Sequence, residues 1–311
     1  MQLVRGLQNL RPAHRGCVAT IGNFDGVHRG HQAILARLRE RAAELGLPTC
    51  AVIFEPQPRE YFSPQTAPVR LMRLRDKVER LAAEGVDRVL CLAFNRRLRE
   101  LSAAAFVHQV LVEGLGVRHL EVGDDFRFGC DRAGDFAFLR QAGALEGFSV
   151  EEAATAERDG HRVSSTRVRE ALADADFSLA EQLLGRPFAI AGRVLHGQKL
   201  ARQLGTPTAN VQLKRRRVPL AGVYLASVEL DGQRWPGVAN IGVRPTVEGD
   251  GRAHLEVHLL DYAGDLYGRR VSVTFHHKLR DEQRFASLEA LKSAIHADIA
   301  AARTYWQGVT P

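Results

Sequence analysis

Two histidines three residues apart, His28 and His31, follow a glycine-rich turn. They lie in the segment 22–31, which reads Gly-Asn-Phe-Asp-Gly-Val-His-Arg-Gly-His. The apolar run Cys17–Ile21 predicts a buried strand before this segment, and an amphipathic pattern over residues 30–45 predicts a helix after it. Glycines permit close backbone approach to a ligand, and the N–H groups at a helix start attract phosphate. An isolated histidine pair is more often an ordinary surface feature, but this context predicts a site for nucleotide phosphates.

A second polar segment begins a predicted helix much later in the chain. Ser164, Ser165 and Thr166 precede or begin a helical pattern over residues 166–173, and Arg169 lies in its first turn. Capping of the helix N–H groups is the simpler explanation for such hydroxyls. Hydroxyls, a helix N-terminus and arginine together also form a good polyphosphate cradle. We therefore expect this segment to contact the same phosphates as the histidine pair.

Composition is that of a globular protein with two ordinary domains. The chain has 311 residues, of which 45% are apolar and 25% charged. It has no apolar stretch long enough to span a bilayer, and its first ten residues lack the layout of a signal peptide. Four scattered cysteines form no C-x-x-C pair, which predicts reduced thiols in a cytoplasmic protein. The net charge of +7 favours phosphorylated partners, while the basic run 214–217 lacks the aromatics of a nucleic-acid site.

The pattern of apolar residues along the chain changes near residue 185. Before this point, apolar runs alternate with helical patterns, which predicts an α/β domain with a parallel sheet covered on both faces. The predicted strands are 17–21, 50–54, 89–93, 119–122 and 148–151, and the predicted helices are 30–45, 74–84, 102–113, 134–142, 166–173 and 178–184. After this point, β-rich runs at 188–195, 222–230, 238–241, 253–260 and 270–275 predict a small antiparallel barrel, closed by a helix over 288–303. The predicted domains are 1–185 and 186–311.

The barrel half contains a second group of residues suited to phosphate chemistry. Thr208 and Asn210 are two apart, so on an extended chain they face the same side. Their hydroxyl and amide oxygens are hard ligands that suit Mg²⁺. Glu256 and His258 share one face of an alternating segment, for which a solvent-facing strand edge is the simpler interpretation.

These segments together resemble a known family. The string 22–31 is similar to the H-x-G-H signature of nucleotidylyltransferases and, more narrowly, to bacterial bifunctional riboflavin kinase/FMN adenylyltransferases (FAD synthetases). Residues 164–169 resemble the second signature, S-S-T-x-x-R, at the family's spacing, and residues 207–210, Pro-Thr-Ala-Asn, match the riboflavin kinase signature. The resemblance covers nearly the whole chain. It implies a Rossmann-like nucleotidylyltransferase domain followed by a riboflavin kinase-like antiparallel β-barrel with a terminal helix.

The resemblance also implies two Mg²⁺-dependent reactions that consume ATP. The barrel would phosphorylate riboflavin to FMN, and the first domain would adenylylate FMN to FAD with release of pyrophosphate. The implied catalytic residues are His28, His31 and Arg169 for adenylylation and Glu256 as the kinase base, with Thr208 and Asn210 as metal ligands. The implied nucleotide- and flavin-binding residues of the first domain are Gly22, Asn23, Phe24, Asp25, Gly26, Gly30, Phe54, Phe62, Asp125, Phe126, Phe128, Ser164, Ser165 and Thr166. Those of the barrel are Gly192, Gly197, Lys199, Gly205, Pro207, Asn240, Arg280 and Phe285.

Four positions depart from the family pattern, and other functions stay open. The departures are Gln57 for histidine, Asp125 for asparagine, Ala201 for glycine and Thr206 for phenylalanine. One alternative is an adenylyltransferase for another phosphorylated substrate with a barrel that only binds. A basic RNA-binding module lacks a visible stacking platform, and a tRNA ligase would need a lysine-rich second motif. We expect small-molecule partners, no nucleic acid or membrane, and a monomer or weak self-association.

Overall fold

The computed structural model describes residues 1–196, 206–215, 217–244 and 252–308. The chain divides into two compact units, Met1–Pro68 with Met72–Ser165, and Val69–Leu71 with Thr166–Pro311. Four residues named in the sequence analysis lie outside the described ranges, namely Gly197, Lys199, Ala201 and Gly205.

The first unit, which is described throughout, contains the predicted parallel sheet. Its strands are β1 (Gln2–Arg5), β2 (Cys17–Ile21), β3 (Thr49–Glu55), β4 (Arg88–Ala93), β5 (Val117–Gly123) and β6 (Ser149–Ala153). They pair in the order β1-β4-β3-β2-β5-β6. Successive residues of β2 enter different apolar clusters, since Cys17 and Ala19 join one cluster and Val18 joins the other. Both faces of the sheet are therefore covered, as the continuous apolar runs predict.

The direction of strand addition reverses at β2. The chain adds β3 and β4 on one side of β2, then β5 and β6 on the other. In open α/β sheets, ligands bind beyond the carboxyl ends of the strands at such a reversal. The glycine–histidine turn follows β2 directly, so topology places it at the expected position of a ligand site.

All six helices predicted in the first domain are present at or near their predicted positions, and one of them differs in type. The helices are α1 (Arg29–Leu45), α2 (Pro58–Phe62), α3 (Leu74–Ala83), α4 (Arg96–Arg99), α5 (Ala103–Phe106), α6 (Phe136–Glu146), α7 (Ser165–Ala173) and α8 (Phe177–Leu184). The predicted α-helix over 102–113 is wrong in type, because α5 passes into a π-helix over Val107–Leu115. The short elements β1, α2 and α4 escaped prediction because four or five residues show no clear periodicity.

One acidic side chain of the sheet is buried where the sheet meets α1. Glu121 on β5 is 1% exposed, and its Oε1 lies 3.5 Å from Nε of Arg37 on α1. Arg37 also donates to Glu151, which pairs with Glu121 in register on β6 and is 45% exposed. Burial raises the pKa of Glu121 to about 7, although the positive charge of Arg37 acts in the opposite direction.

The described residues of the second unit form the predicted antiparallel barrel. Its strands are β9 (Ala189–Leu195), β10 (Ala209–Val211), β11 (Gly222–Leu230), β12 (Gln233–Arg244), β13 (Arg252–Leu259) and β14 (Arg270–Arg280). They close in the order β10-β13-β12-β11-β14-β9. The tight turn between β11 and β12 contains Asp231 and Gly232, both with positive φ, as a two-residue hairpin requires. The last helix, α9 (Leu288–Gly308), extends five residues beyond its predicted end.

Candidate active sites

The first candidate site is the turn between β2 and α1. His28 is the N-cap of α1, and its Nδ1 accepts a hydrogen bond from the backbone N–H of His31 at 3.4 Å. The two imidazoles stack with their centroids 3.7 Å apart and their planes 19° apart. The two histidines therefore lie together at a helix N-terminus, as the sequence predicts, and the partial positive charge of that terminus favours a bound anion.

Two glycines of this turn leave no room for side chains. A Cβ on Gly22 would lie 3.1 Å from the Phe24 ring, and a Cβ on Gly30 would lie 3.2 Å from the His28 imidazole and 3.3 Å from the Val163 carbonyl oxygen. These close approaches explain why the motif has glycine at both positions.

His31 is held in its neutral form. Burial, together with the positive charges of His28 and Lys77, holds the pKa of His31 well below its ordinary value. Its Nδ1 is buried and has no hydrogen-bond partner among the described residues. A neutral imidazole with an unsatisfied buried nitrogen is suited to receive a polar ligand atom.

The second polar segment meets the first motif through Ser165. The Ser165 hydroxyl donates to the Asp25 carbonyl oxygen at 2.9 Å, across 140 positions of sequence. The Asp25 carboxylate is 2% exposed and accepts from the backbone N–H of Met72 at 3.1 Å. Thr166 and Arg169 belong to the second unit, where Arg169 Nε donates to the Val69 carbonyl oxygen at 2.5 Å. Their predicted phosphate contacts stay predictions.

An aromatic cluster lies beyond the ends of β3 and β4. The ring of Phe94 is 5.9 Å from Phe54, 5.4 Å from Tyr61 and 5.7 Å from Phe62, all in edge-to-face arrangements. Phe62 is 58% exposed, and the Arg99 guanidinium lies 5.7 Å from its ring centroid. Phe54 and Phe62 were predicted from the sequence, whereas the other two members, Tyr61 and Phe94, were not. An exposed aromatic face at the carboxyl edge of the sheet is suited to stack on a flat ligand.

Gln57 occupies the position where the family usually has histidine. It is the N-cap of α2, and its backbone N–H donates to the Glu60 carboxylate at 2.9 Å. Its side-chain Nε2 is buried and has no hydrogen-bond partner among the described residues. The glutamine thus retains a hydrogen-bond donor at the edge of the sheet.

In the loop after β5, some residues are buried in the core and others are exposed at the surface. Phe128 is buried, and its ring stacks on the partly buried Phe126 at 5.5 Å and 14°. Asp124 and Asp125 both pair with Arg162 of the hairpin formed by β7 (Glu157–Arg158) and β8 (His161–Arg162), at 2.8 and 3.4 Å. Phe128 has the contacts of a core aromatic, while Asp125 is exposed beside an arginine. Their flavin contacts stay predictions.

The second candidate site is a polar row across three adjacent barrel strands. Glu256 on β13 pairs in register with Asn210 on β10 and with Asn240 on β12. Directly paired residues project to the same face of a sheet, so the three side chains share one face. The Thr208 hydroxyl lies 3.5 Å from Glu256 Oε2, and Asn240 Oδ1 is buried with no hydrogen-bond partner among the described residues. The neighbours of Glu256 along β13, Leu255 and Val257, are buried.

The other barrel residues that were predicted to bind a ligand have mainly packing contacts. A Cβ on Gly192 would lie 2.5 Å from Val211 Cγ1, so this glycine allows close strand packing. Arg280 binds the Asp298 carboxylate of α9 through Nε and Nη2, at 3.0 and 2.8 Å, and lies 5.6 Å from the Phe285 ring. The Pro207 carbonyl oxygen lies 2.8 Å from His258 Nδ1. The ligand contacts predicted for Gly192, Arg280, Phe285 and Pro207 stay predictions.

Two properties bear on metals and membranes. Among the described residues, no group of three or more His, Cys, Asp or Glu side chains could hold a metal ion. Within the same ranges, no helix has the length and apolar character needed to cross a membrane.

Comparisons with known proteins decide the family. The family model described as FAD synthetase matches residues 10–167, and the one described as riboflavin kinase matches residues 184–306. A bifunctional riboflavin kinase/FMN adenylyltransferase from Pseudomonas fluorescens is 78% identical over 303 residues, which are 97% of either chain. The chain belongs to the bifunctional riboflavin kinase/FMN adenylyltransferase family. The family's relative in Escherichia coli K12 is 53% identical over 98% of either chain.

A solved structure has the same fold. It is a crystal structure of a macrolide-efflux protein from Streptococcus pneumoniae, with a TM-score of 0.80 and 27% sequence identity, and it covers 97% of this chain and 98% of that chain. The family assignment and this likeness agree on an α/β unit followed by a barrel.

Proposed function

We propose that the chain makes FAD from riboflavin in two ATP-dependent steps, phosphorylation in the second unit and adenylylation in the first. The observation that carries the proposal is that each unit gathers its own polar cluster from motifs far apart in sequence. His28, His31 and Ser165 form one cluster, and Thr208 and Glu256 belong to the other. Membership of the family supports the same pair of activities.

In the adenylylation step, an FMN phosphate oxygen attacks the α-phosphorus of ATP. The bond from the α-phosphorus to the bridging oxygen breaks, and pyrophosphate leaves. A phosphate nucleophile needs no deprotonation by the protein at neutral pH, so the protein aligns the reactants and stabilises charge on the phosphoryl oxygens. The helix start at His28 and the neutral His31 imidazole are suited to contact those oxygens. The exposed ring of Phe62 is the proposed stacking surface for the flavin.

In the phosphorylation step, a riboflavin hydroxyl attacks the γ-phosphorus of ATP. The hydroxyl loses its proton to Glu256, the new oxygen–phosphorus bond forms FMN, and ADP leaves. Glu256 is partly buried and lies beside the Thr208 hydroxyl, a position that suits a base next to bound phosphates. The strand-edge interpretation of Glu256 does not account for its polar neighbours on two strands.

Mg²⁺ is the proposed metal of the barrel site. The Thr208 hydroxyl, the Asn210 amide oxygen and the Glu256 carboxylate are hard oxygen donors at one place, and Mg²⁺ is ordinarily held by few protein ligands together with nucleotide phosphates. When bound, the metal would neutralise charge on the ATP phosphates. Thr208 and Asn210 are the proposed ligands.

The cytoplasm is the proposed compartment, and the chain is proposed to act as a monomer or with weak self-association. All four cysteines are free thiols, and Cys17, Cys50 and Cys91 are buried. Reduced buried thiols are typical of a reducing compartment.

The test is incubation of the purified full chain with riboflavin, ATP and Mg²⁺, followed by chromatography of the flavins. The wild type is expected to yield FMN and then FAD. His28→Ala should still form FMN but no FAD, whereas Glu256→Gln should convert supplied FMN to FAD but leave riboflavin unphosphorylated.

Two exposed residues give matched controls. His108→Ala removes a histidine that is 57% exposed, and Glu229→Gln removes an exposed glutamate from strand β11 of the same barrel. Both should retain both activities. Loss of both activities in His28→Ala would contradict separate sites. A wild type that adenylylates a phosphorylated substrate but never phosphorylates riboflavin would support a barrel that only binds.

A further inference from the structure

A lysine is fully buried near the first site. Lys77 on α3 is 0% exposed, and its Nζ donates to the Asn23 carbonyl oxygen at 2.5 Å. Burying an ammonium group is costly unless the surrounding structure compensates for the lost hydration. The sequence pattern does not distinguish this residue, because a lysine in an amphipathic helix is ordinarily exposed.

The backbone that Lys77 holds is under strain. Phe24 and Val27 have positive φ values of 47° and 42°, in the left-handed region that residues other than glycine rarely adopt. Such conformations persist only where the surroundings determine them. Lys77 is one anchor of this turn, and the hydrogen bond from Met72 N–H to the Asp25 carboxylate is a second. Both anchors come from one short stretch of chain, residues 72–77.

Lys77 also interacts electrostatically with His31. Burial lowers the pKa of His31 most, and the charge of His28 and then the positive charge of Lys77 lower it further. Charged or titratable groups at this turn include Lys77 from α3 and His28 and Asp25 from the turn itself, and the Asp25 carboxylate accepts from the backbone N–H of Met72. The Phe24 ring, 5.0 Å from the His31 ring, contributes no charge.

We propose that Lys77 is a positioning residue for adenylylation, which holds the strained turn through Asn23 and supplies a fixed positive charge beside His31. The charge adds to the burial that keeps the His31 imidazole neutral, and the anchored turn holds it in place for the phosphates of ATP. The proposal rests on the adenylylation activity proposed above, but its electrostatic part concerns the free protein.

Two substitutions separate the hydrogen bond from the charge. Lys77→Met removes both, whereas Lys77→Gln removes the charge but retains a hydrogen-bond donor on a side chain one bond shorter. Arg75→Met is the matched control, because Arg75 is on the same helix, is 67% exposed and pairs with Glu79. The measurements are the kcat, KM and pH profile of FMN adenylylation, the rate of riboflavin phosphorylation, and the imidazole titration of ¹⁵N-histidine-labelled protein. The His31 signal is assigned with His31→Gln.

Lys77→Met is expected to lower the kcat of adenylylation about a hundredfold, because small misplacements of catalytic groups have effects of that order. Lys77→Gln should lose less activity. In both variants the His31 titration and the acidic limb of the pH profile should move to higher pH, while riboflavin phosphorylation stays within about twofold, as expected for independent sites. Arg75→Met should leave all these properties unchanged.

An unchanged His31 titration in Lys77→Gln, or an equal loss of adenylylation in Arg75→Met, would overturn the proposal. If Lys77→Met does not fold, Lys77→Gln decides, because it retains a polar hydrogen-bond donor at this buried position. If the wild type makes no FAD, the proposed activity is wrong, and the His31 titration still decides whether Lys77 acts on the imidazole.

Discussion

Glu121→Gln keeps the shape of a buried side chain that faces α1 but removes its ionisation. In the folded protein the pKa of Glu121 is raised from 4.5 to about 7, mainly by burial. Between these two pH values the folded state binds more protons than the unfolded state, so the free energy of unfolding falls as pH rises. A difference of about 2.5 pKa units corresponds to roughly 3 kcal/mol, which is lost by about pH 8. Glutamine cannot titrate, so the variant should not lose this stability.

The assay is urea unfolding at pH 5, 6, 7 and 8. Both tryptophans, Trp235 and Trp306, lie in the second unit, so far-UV circular dichroism is needed to report on the first. The difference in unfolding free energy, variant minus wild type, should rise by about 2.5 kcal/mol between pH 5 and pH 8, because a small part of the loss already occurs below pH 5. Glu151→Gln is the control, because Glu151 shares the Arg37 partner but is 45% exposed and should contribute at most about 1 kcal/mol.

Parallel pH dependence in the wild type and Glu121→Gln would refute the reasoning. It would mean that Glu121 ionises as readily in the folded chain as in the unfolded one. An effect of Glu151→Gln as large as that of Glu121→Gln would show that the ion pair with Arg37, and not burial, determines the pH dependence.

Three further substitutions probe the two sites. Gly30→Ala places a methyl group against the His28 ring and should reduce FAD formation about tenfold or more. FMN formation should continue, as product chromatography would show. Normal FAD formation would mean that the turn adjusts to the methyl group. Phe62→Ala removes the exposed ring and should raise the KM for FMN about tenfold, consistent with loss of one stacking contact. An unchanged KM in steady-state kinetics would exclude stacking of the flavin on Phe62. Asp298→Asn weakens the paired hydrogen bonds from Arg280 and should lower the unfolding free energy of the second unit by about 2 kcal/mol. The measurement is tryptophan fluorescence during urea unfolding. An unchanged urea midpoint would contradict this value.

Features that depend on neighbouring residues could be predicted from the sequence. The strand Cys17–Ile21 is marked by five consecutive small or apolar residues, and the start of α1 follows from the helical pattern after it. Because both signals lie within thirty residues, they also bring His28 and His31 to the correct place. Three of the predicted barrel strands match β9, β11 and β13 to within one residue, whereas β12 and β14 were predicted too short, since polar residues continue their ladders beyond the apolar centres.

Features that depend on distant pairing could not be predicted. The row of Asn210, Glu256 and Asn240 requires the register of three strands, which alternation within one strand does not fix. Burial of Lys77 requires knowing which helix packs on the turn at Asn23. Periodicity describes the face of one element, and these contacts join faces of different elements.

The cap at the start of α1 has a consequence for the chemistry of His28. The ring nitrogen that accepts the His31 amide has no proton, so the neutral tautomer of His28 carries its hydrogen on Nε2. A ring in this state offers a hydrogen-bond donor and no acceptor on the side away from the helix. The helix cap therefore uses the Nδ1 edge of the His28 imidazole, and phosphate recognition uses the opposite, Nε2 edge. A protonated His28 would keep the Nε2–H donor but could no longer accept the His31 amide hydrogen bond.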